Sequence, residues 1–234
     1  MRLTGIKRSA VVLSLALWLT TCAFPVTAAA AETEPAYTYK TYEGKSTKKA
    51  TVTDAYKKTY PKNEFGLTAK VRIPKVTIPG VNTTSINKTI YNYCKSHSGN
   101  TCSCNYSYYV GKNYISIRIV LQEEHDMSPS TDYKIYNISR KTGKQMSRAE
   151  MLKALNIKNS KFNARVKKAV IKYMDHNDMW LDYSRYPEMF NRNISSAKLK
   201  KCTPYVNSKG KLCFLYKSFE IPAGSGFCDH CGRC

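Results

Sequence analysis

The sequence predicts an α+β domain, an antiparallel sheet with inserted helices. Segments of alternating apolar residues, such as YISIRIVL at 114–121, are typical of strands and stand beside glycine-containing turns. Apolar residues at helical spacing in 81–97 and again after Ser160 indicate helices. Together these patterns favour a sheet packed against helices in one hydrophobic core.

The first predicted strand lies in GLTAKVRIPKVTIPG at 66–80, where apolar and polar residues alternate. Pro74 and Pro79 restrict it to a short or edge element, because proline cannot donate a ladder hydrogen bond. The polar segment 32–64 before it is expected to be a loosely ordered lead-in, with room for one edge strand.

A helix is predicted over 81–97, with Thr83 or Thr84 as its cap. A β-hairpin follows over 105–122 with GKN as its turn, and its second arm has one strongly apolar face. A further strand then leads into a turn at Gly143.

Ser147 and Glu150 stand three residues apart before an apolar run, which is the signature of a capping box at a helix start. A second helix is predicted from Ser160, with lysines opposite its apolar face. A hairpin with Gly210 in its turn then closes the domain.

The N-terminal segment 1–31 has a positively charged start, an apolar stretch and a run of small residues. This order is typical of a secretory signal peptide, with cleavage near 28–31. Two alternatives stay open: a retained membrane anchor over 9–26, and lipid anchoring at Cys22. We expect a secreted or cell-envelope-associated protein.

The net charge is +22, from 38 Lys and Arg against 16 Asp and Glu. Such a field attracts polyanions. Outside a cell these are anionic cell-wall polymers or peptidoglycan, and no specific nucleic acid is expected. The lysines are spread along the chain, so we expect a diffuse electrostatic contribution and no dedicated patch.

After the signal segment, an even number of cysteines in an exported chain predicts disulfides. Eight cysteines allow 105 pairings, and the sequence does not choose among them. They fall into two groups: Cys94, Cys102 and Cys104, then Cys202, Cys213, Cys228, Cys231 and Cys234.

The motif FCDHCGRC at 227–234 has three interpretations. We favour disulfides, since the chain is expected to be exported. A metal site is the first alternative, with Cys228, His230, Cys231 and Cys234 as ligands, although neighbouring ligands on so short a loop crowd a tetrahedron. A thiol-redox centre is the second, but its thiolate needs a helix N-terminus and no helix is expected there.

No complete catalytic constellation is found, so we expect a protein that is not an enzyme and carries no cofactor. Zincin, nucleophile-elbow and phosphate-loop motifs are absent from the sequence. The cluster QEEHD at 122–126 is interpreted as a solvated loop and DHND at 175–178 as a helix end.

An ordered series of segments resembles a known family. It is similar to the extracellular domain of RsiV-type anti-sigma factors and to the non-catalytic N-terminal module of PdaC-type peptidoglycan deacetylases. The segments that carry the resemblance are, in order, RIPKVTIPGVNTTSINKTI, YYVGKNYISIRI, YKIYNISRKTGKQMSRAEML and GKLCFLYKSFEIPAGSG. The resemblance covers about 65–226. It implies an α+β domain at the cell envelope that contacts the wall or senses lysozyme.

We therefore expect 65–234 to form an RsiV-like domain with a cysteine-rich C-terminal tail. Its expected function is non-catalytic binding at the envelope of a Gram-positive bacterium, through cell-wall polymers. Two other functions remain open: a sensor or inhibitor that binds lysozyme or another muramidase, and a thiol-redox or metal-dependent enzyme that uses the C-terminal cysteines.

Overall fold

A computed structural model describes residues 50–64, 66–123, 130–175, 183–220 and 227–233. All of them belong to one unit, Ala36–Cys234. They form a mixed α+β fold with a five-stranded, mostly antiparallel sheet, a three-stranded sheet and helices, as the sequence predicts at this level. The predicted signal segment, Cys22 included, lies outside the described residues.

The larger sheet contains the first five strands in the order β1-β2-β3-β4-β5. Neighbours are antiparallel except β2 and β3, which run parallel with Val71 opposite Cys104. A parallel pair needs a crossover, and helix α1 supplies it. The bounds are β1 Thr51–Thr59, β2 Lys70–Thr77, α1 Thr84–His97, β3 Cys102–Val110, β4 Tyr114–Glu123 and β5 Thr131–Ser139.

Strand β2 is an interior strand, so the expectation of an edge element is wrong. Strand β1 covers its outer edge, and it is the one edge strand for which the predicted lead-in 32–64 left room. Pro74 is tolerated because β1 shifts register between Asp54 and Tyr56, directly opposite it. A bulge removes the ladder hydrogen bond that proline cannot make.

Helix α1 packs its apolar face on this sheet. Ile86, Ile90 and Cys94 are buried, as their spacing predicts. The apolar face of β4 is buried against them in the same cluster.

Thr83 occupies the predicted cap position, but its side chain makes no capping hydrogen bond, because its hydroxyl donates to the Val76 carbonyl at 2.9 Å. The Asn82 side chain instead accepts the hydrogen bond from the Thr84 backbone N–H at 2.9 Å.

The second half of the chain places helices on a smaller antiparallel sheet, ordered β6-β7-β8. The third strand, β8, is formed by Phe227–Arg233, where we expected a tail beyond a hairpin. The bounds are α2 Arg148–Ala154, α3 Asn159–Asp175, a 3-10 turn Tyr183–Arg185, α4 Pro187–Asn193, α5 Ser196–Lys201, β6 Thr203–Val206, β7 Leu212–Glu220 and β8 Phe227–Arg233.

A buried polar network joins the two sheets. The Ser116 hydroxyl donates to the Asn137 side-chain oxygen at 2.8 Å, and the Asn137 amide donates to the Pro204 carbonyl at 2.7 Å. The Val206 backbone N–H donates to the Ser116 hydroxyl at 3.2 Å. Because buried polar groups need partners, this network fixes how β6 meets β4 and β5.

A second core lies under α3. Its face of Phe162, Val166, Val170 and Met174 is fully buried, and aromatic side chains of β7 belong to the same cluster. Within the described ranges, no helix is long and apolar enough to cross a membrane.

Candidate functional site: a basic cleft between three turns

A cleft of about 1050 Å³ opens where three turns and helix α2 meet. The first turn, 78–81, precedes α1. The second, 111–113, joins β3 to β4, and the third, 139–146, follows β5. Helix α2 contributes the remaining wall through Glu150, Lys153 and Ala154.

The first turn is tight because of its Pro-Gly pair. The Val81 backbone N–H donates to the Ile78 carbonyl at 3.0 Å, and Gly80 has φ +72°. Proline followed by a residue with positive φ is the sequence preference of a type II turn. The motif IPGV therefore sets this edge of the cleft directly from the sequence.

The third turn touches the first through Gly143. Its backbone N–H donates to the Ser139 carbonyl at 2.8 Å, and its φ is +69°. A Cβ atom at this position would lie 2.5 Å from the Asn82 carbonyl oxygen. Only glycine combines this conformation with so close an approach.

Arg140 ties the third turn to the second. Its backbone N–H donates to the Asn113 carbonyl at 3.0 Å, and its guanidinium donates to the Gly111 carbonyl at 2.8 Å. The guanidinium thus holds the wall of the cleft as well as adding positive charge.

Helix α2 is fixed by the predicted capping box. The Ser147 hydroxyl accepts from the Glu150 backbone N–H, and the Glu150 carboxylate accepts from the Ser147 backbone N–H at 2.6 Å. That backbone hydrogen bond lowers the pKa of Glu150, so its carboxylate is charged and engaged in the cap. The cap sets where α2 begins and so where Lys153 lies along the cleft.

Lysines dominate the charge of the cleft. Lys112, Lys141, Lys144 and Lys153 line it with exposed side chains, and none of the four forms an ion pair within the described part of the chain. Glu150 is the one acidic residue in the described lining. The structure therefore corrects our expectation of purely diffuse charge, since it gathers these lysines at one site.

Sequence reasoning missed this site because its members are distant in sequence. The available signal was that lysines flank two predicted turn glycines, in GKN and TGK. Turns of a sheet meet only when the register of its strands is known, and the sequence does not give that register.

The predicted disulfide residues divide into two sets. Among the five cysteines whose side chains the structure describes, Cys94, Cys102, Cys104, Cys202 and Cys213, no two are joined by a disulfide. Cys94 and Cys104 are both buried in the first core. Burial raises the pKa of Cys202 to about 12, although Arg148 opposes the shift, so its thiol is protonated at neutral pH.

Cys228 and Cys231 lie on β8, and their side chains are outside the described atoms. The backbone register puts Cys228 opposite Phe219 and Cys231 opposite Leu215. Cys234 and the side chain of His230 are likewise not described, so the metal and redox alternatives there remain hypotheses. Within the described residues, no three His, Cys, Asp or Glu side chains are grouped to hold a metal.

Of the other polar clusters, the Glu123 carboxylate accepts a hydrogen bond from the Ser130 hydroxyl at 2.7 Å. Residues 124–126 of QEEHD and His176 of DHND lie outside the described residues. No family model, curated protein or solved structure matches the chain. The interpretation of the cleft therefore depends on its own geometry and charge.

Proposed function

We propose that this protein is a secreted, non-catalytic binding domain of the cell envelope, and that its cleft binds an anionic cell-wall polymer. The observation that carries the proposal is the set of four exposed lysines, Lys112, Lys141, Lys144 and Lys153, in one cleft without ion-pair partners in the described part of the chain.

A polymer with repeated phosphate or carboxylate groups suits this arrangement. The lysines come from the second turn, the third turn and α2, so a flexible chain can meet several of them at once. Each contact that neutralises a charge on a polyanion releases condensed counterions, which makes the affinity strongly dependent on salt. The overall charge of +22 adds long-range attraction.

The resemblance to RsiV-type and PdaC-type envelope domains supports the same proposal. Two of the segments that carry this resemblance line the cleft. They are the Pro79–Gly80 turn and the Thr142–Gly143–Lys144 turn. We include in the proposal an RsiV-like fold, export through the N-terminal segment and stapling by disulfides. A strongly basic muramidase fits the cleft less well, because like charges suppress association.

The direct test compares two quadruple variants that lose the same charge. In the cleft variant, Lys112, Lys141, Lys144 and Lys153 become Gln. In the control, Lys161, Lys167, Lys168 and Lys200 become Gln; these are exposed on α3 and α5, and none lines the cleft. Binding to purified teichoic acid is titrated by calorimetry at several NaCl concentrations.

We expect the cleft variant to lose at least about tenfold in affinity, and its log–log salt slope to fall by about one unit per lost contact. The control should stay within about threefold of the unchanged protein, reflecting long-range attraction only. Equal losses in the two variants would contradict a cleft site. No binding by the unchanged protein, together with capture of a muramidase, would favour the sensor alternative.

A further inference from the structure

We propose that the polymer site continues from the cleft across Tyr109 and Tyr114 to a second pair of lysines, Lys209 and Lys211, and that its ligand is an anionic polymer with sugar units between its charges. This inference rests on the proposed function, because it extends the same site and names the class of its ligand. It goes beyond that function in holding one bound chain at two separate cationic places.

Tyr114 joins the extension to the wall of the cleft. It stands directly opposite Ser139 in the register of β4 and β5, and Ser139 lines the cleft. Its ring also lies against the second turn, since a Cβ atom built on Gly111 would be 2.7 Å from the ring carbon Cζ. Directly opposite residues of neighbouring strands project from the same face of a sheet, so Tyr114 and Ser139 share one face.

Tyr109 carries the surface on to the turn between β6 and β7. Its ring centroid lies 6.2 Å from that of Tyr114, and the two ring planes are tilted by 34°. On the other side, a Cβ atom built on Gly210 would be 3.2 Å from the ring carbon Cε2 of Tyr109. Both tyrosines are partly exposed. They form a tyrosine ledge, Tyr109 and Tyr114, that runs from the second turn to the β6–β7 turn.

The β6–β7 turn presents Lys209 and Lys211 with exposed side chains. Asn207 is buried, and its side-chain oxygen accepts from the Lys209 backbone N–H at 3.1 Å and from that of Lys211 at 2.9 Å. The Gly210 backbone N–H donates to the Asn207 carbonyl at 2.8 Å. Neither lysine forms an ion pair within the described ranges of the chain. The turn therefore places two positive charges beside the tyrosine ledge.

A ligand that fits all three parts combines negative charges with an apolar ring face. The two lysine groups each attract a phosphate or a carboxylate, and the surface between them is aromatic. A pyranose ring has an apolar C–H face that packs on an aromatic side chain, and its hydroxyl groups suit the polar end of tyrosine. Burial raises the pKa of Tyr114 to about 12, so its hydroxyl is neutral at pH 7 and available as a donor. An anionic glycopolymer supplies both features along its length.

Two contact groups for one chain make the affinity depend on polymer length. Once one charge is bound in the cleft, the next charges are held at a high effective concentration near Lys209 and Lys211, provided that the polymer spans the ledge. A fragment too short to span it gains nothing from the second pair. Affinity should therefore increase with length until the polymer reaches both groups.

The test measures binding of the full chain to glycosylated teichoic acid, to a short fragment of it, and to inorganic polyphosphate, which has charge but no sugar. In one variant Lys209 and Lys211 become Gln; in the matched control Lys161 and Lys168, exposed on α3, become Gln. We expect the first variant to lose about fivefold or more in affinity for the polymer, with a salt slope smaller by about one unit per lost contact. It should bind the fragment as the control does, and the control should stay within about twofold of the unchanged protein.

The tyrosine ledge is tested by comparing Tyr114→Leu with Tyr114→Phe. Phenylalanine keeps the ring, so its affinity for the glycosylated polymer should stay within about twofold of that of the unchanged protein. Leucine removes the ring and should cost about threefold or more for that polymer, but nothing for polyphosphate. Thermal melts check that both variants fold, and the Lys209 and Lys211 variant decides the proposal if Tyr114→Leu does not.

The outcomes separate this inference from the proposed function. Equal losses in the Lys209 and Lys211 variant and in its α3 control would overturn the extension, whereas a loss confined to the cleft variant would leave the proposed function in place. Polyphosphate binding as tight as that of the glycosylated polymer would overturn the ligand class. If the unchanged protein binds none of these polymers, the proposed function and its extension are both wrong.

Discussion

Gly80 and Gly143 have the same kind of backbone conformation, with φ +72° and +69°, but different surroundings. Nothing lies within 4 Å of a Cβ built on Gly80, whereas a Cβ on Gly143 meets the Asn82 carbonyl oxygen at 2.5 Å. A substitution at Gly80 therefore adds backbone strain alone. At Gly143 it adds strain and a clash that separates two walls of the cleft.

We expect Gly143→Ala to lower the free energy of unfolding by about 3 kcal/mol or more, because the strain and the clash add. The matched control Gly80→Ala should cost about 1–2 kcal/mol, from the left-handed conformation alone. Urea denaturation measures both. Equal costs for the two variants would mean that the contact with Asn82 contributes nothing.

Two junctions between elements show how local signals and distant contacts differ. Helix α2 begins at a capping box that is written in consecutive residues. Strand β7, by contrast, ends at Glu220, whose carboxylate accepts from Lys198 and from Arg192, the latter at 2.7 Å. Asn193 bonds both the backbone N–H and the carbonyl of Glu220, at 3.0 Å and 2.7 Å. This second junction joins α4, α5 and β7.

Ser147→Ala should destabilise the protein by about 1 kcal/mol, because the Glu150 backbone N–H loses its cap. The control is Ser85→Ala in the first turn of α1, where an exposed serine makes no cap hydrogen bond. Alanine has the higher helix propensity, so this change should be neutral or slightly stabilising. Thermal melts of both variants check the sign of the change in stability. A destabilising Ser85→Ala would contradict the assignment of the α1 cap hydrogen bond to Asn82.

The Glu220 junction predicts a loss of stability in acid. Burial acts to raise the pKa of Glu220, but the hydrogen bonds from Lys198 and Arg192 prevail and hold it below its ordinary value of 4.5. A carboxyl whose folded pKa is depressed stabilises the fold fully above its unfolded pKa. That contribution is lost as the pH falls from 4.5 through the lower folded pKa.

Glu220→Gln should therefore lower stability at pH 7, on the order of 1 kcal/mol, and flatten the dependence of stability on pH below about 4.5. The control is Glu188→Gln, whose carboxylate is 91% exposed in a surface pair with Arg192. Its acid profile should match that of the unchanged protein. Indistinguishable profiles for the two variants would count against the junction.

Over the whole described unit, two sheets and two main cores share one molecule that carries a net charge of +22. A buried network of Ser116, Asn137 and the backbone of β6 couples the sheets. Such an excess of one sign works against the compact state through self-repulsion, so the cores and this network have to outweigh it.

We expect Tm to rise when NaCl increases from about 0.1 M to about 1 M, because the Debye length falls from about 10 Å to about 3 Å and screens that repulsion. The α3 and α5 control variant, with four fewer positive charges, should show a smaller rise. Differential scanning calorimetry at constant pH measures both. A Tm that falls with NaCl would show that ion pairs such as those of Glu220 outweigh the repulsion.

The sequence alone determined the elements whose signals are local. Each of these elements depends on residues within a few positions of each other. They are the capping box at Ser147, the apolar face of β4, the helical spacing of Ile86 and Ile90, and the turns at Gly143 and Gly210. Short-range sterics and hydrogen bonds decide such features, so the printed residues suffice.

The tertiary structure decided which local elements become neighbours. It made β2 interior by adding β1, made residues Phe227–Arg233 of the C-terminal motif a strand, and gathered lysines from separate turns into one cleft. These outcomes depend on strand register and on the packing of α1, which are set by burial summed over the whole core. A short stretch of sequence does not determine this burial, because the area is buried by contacts between residues that are distant in sequence.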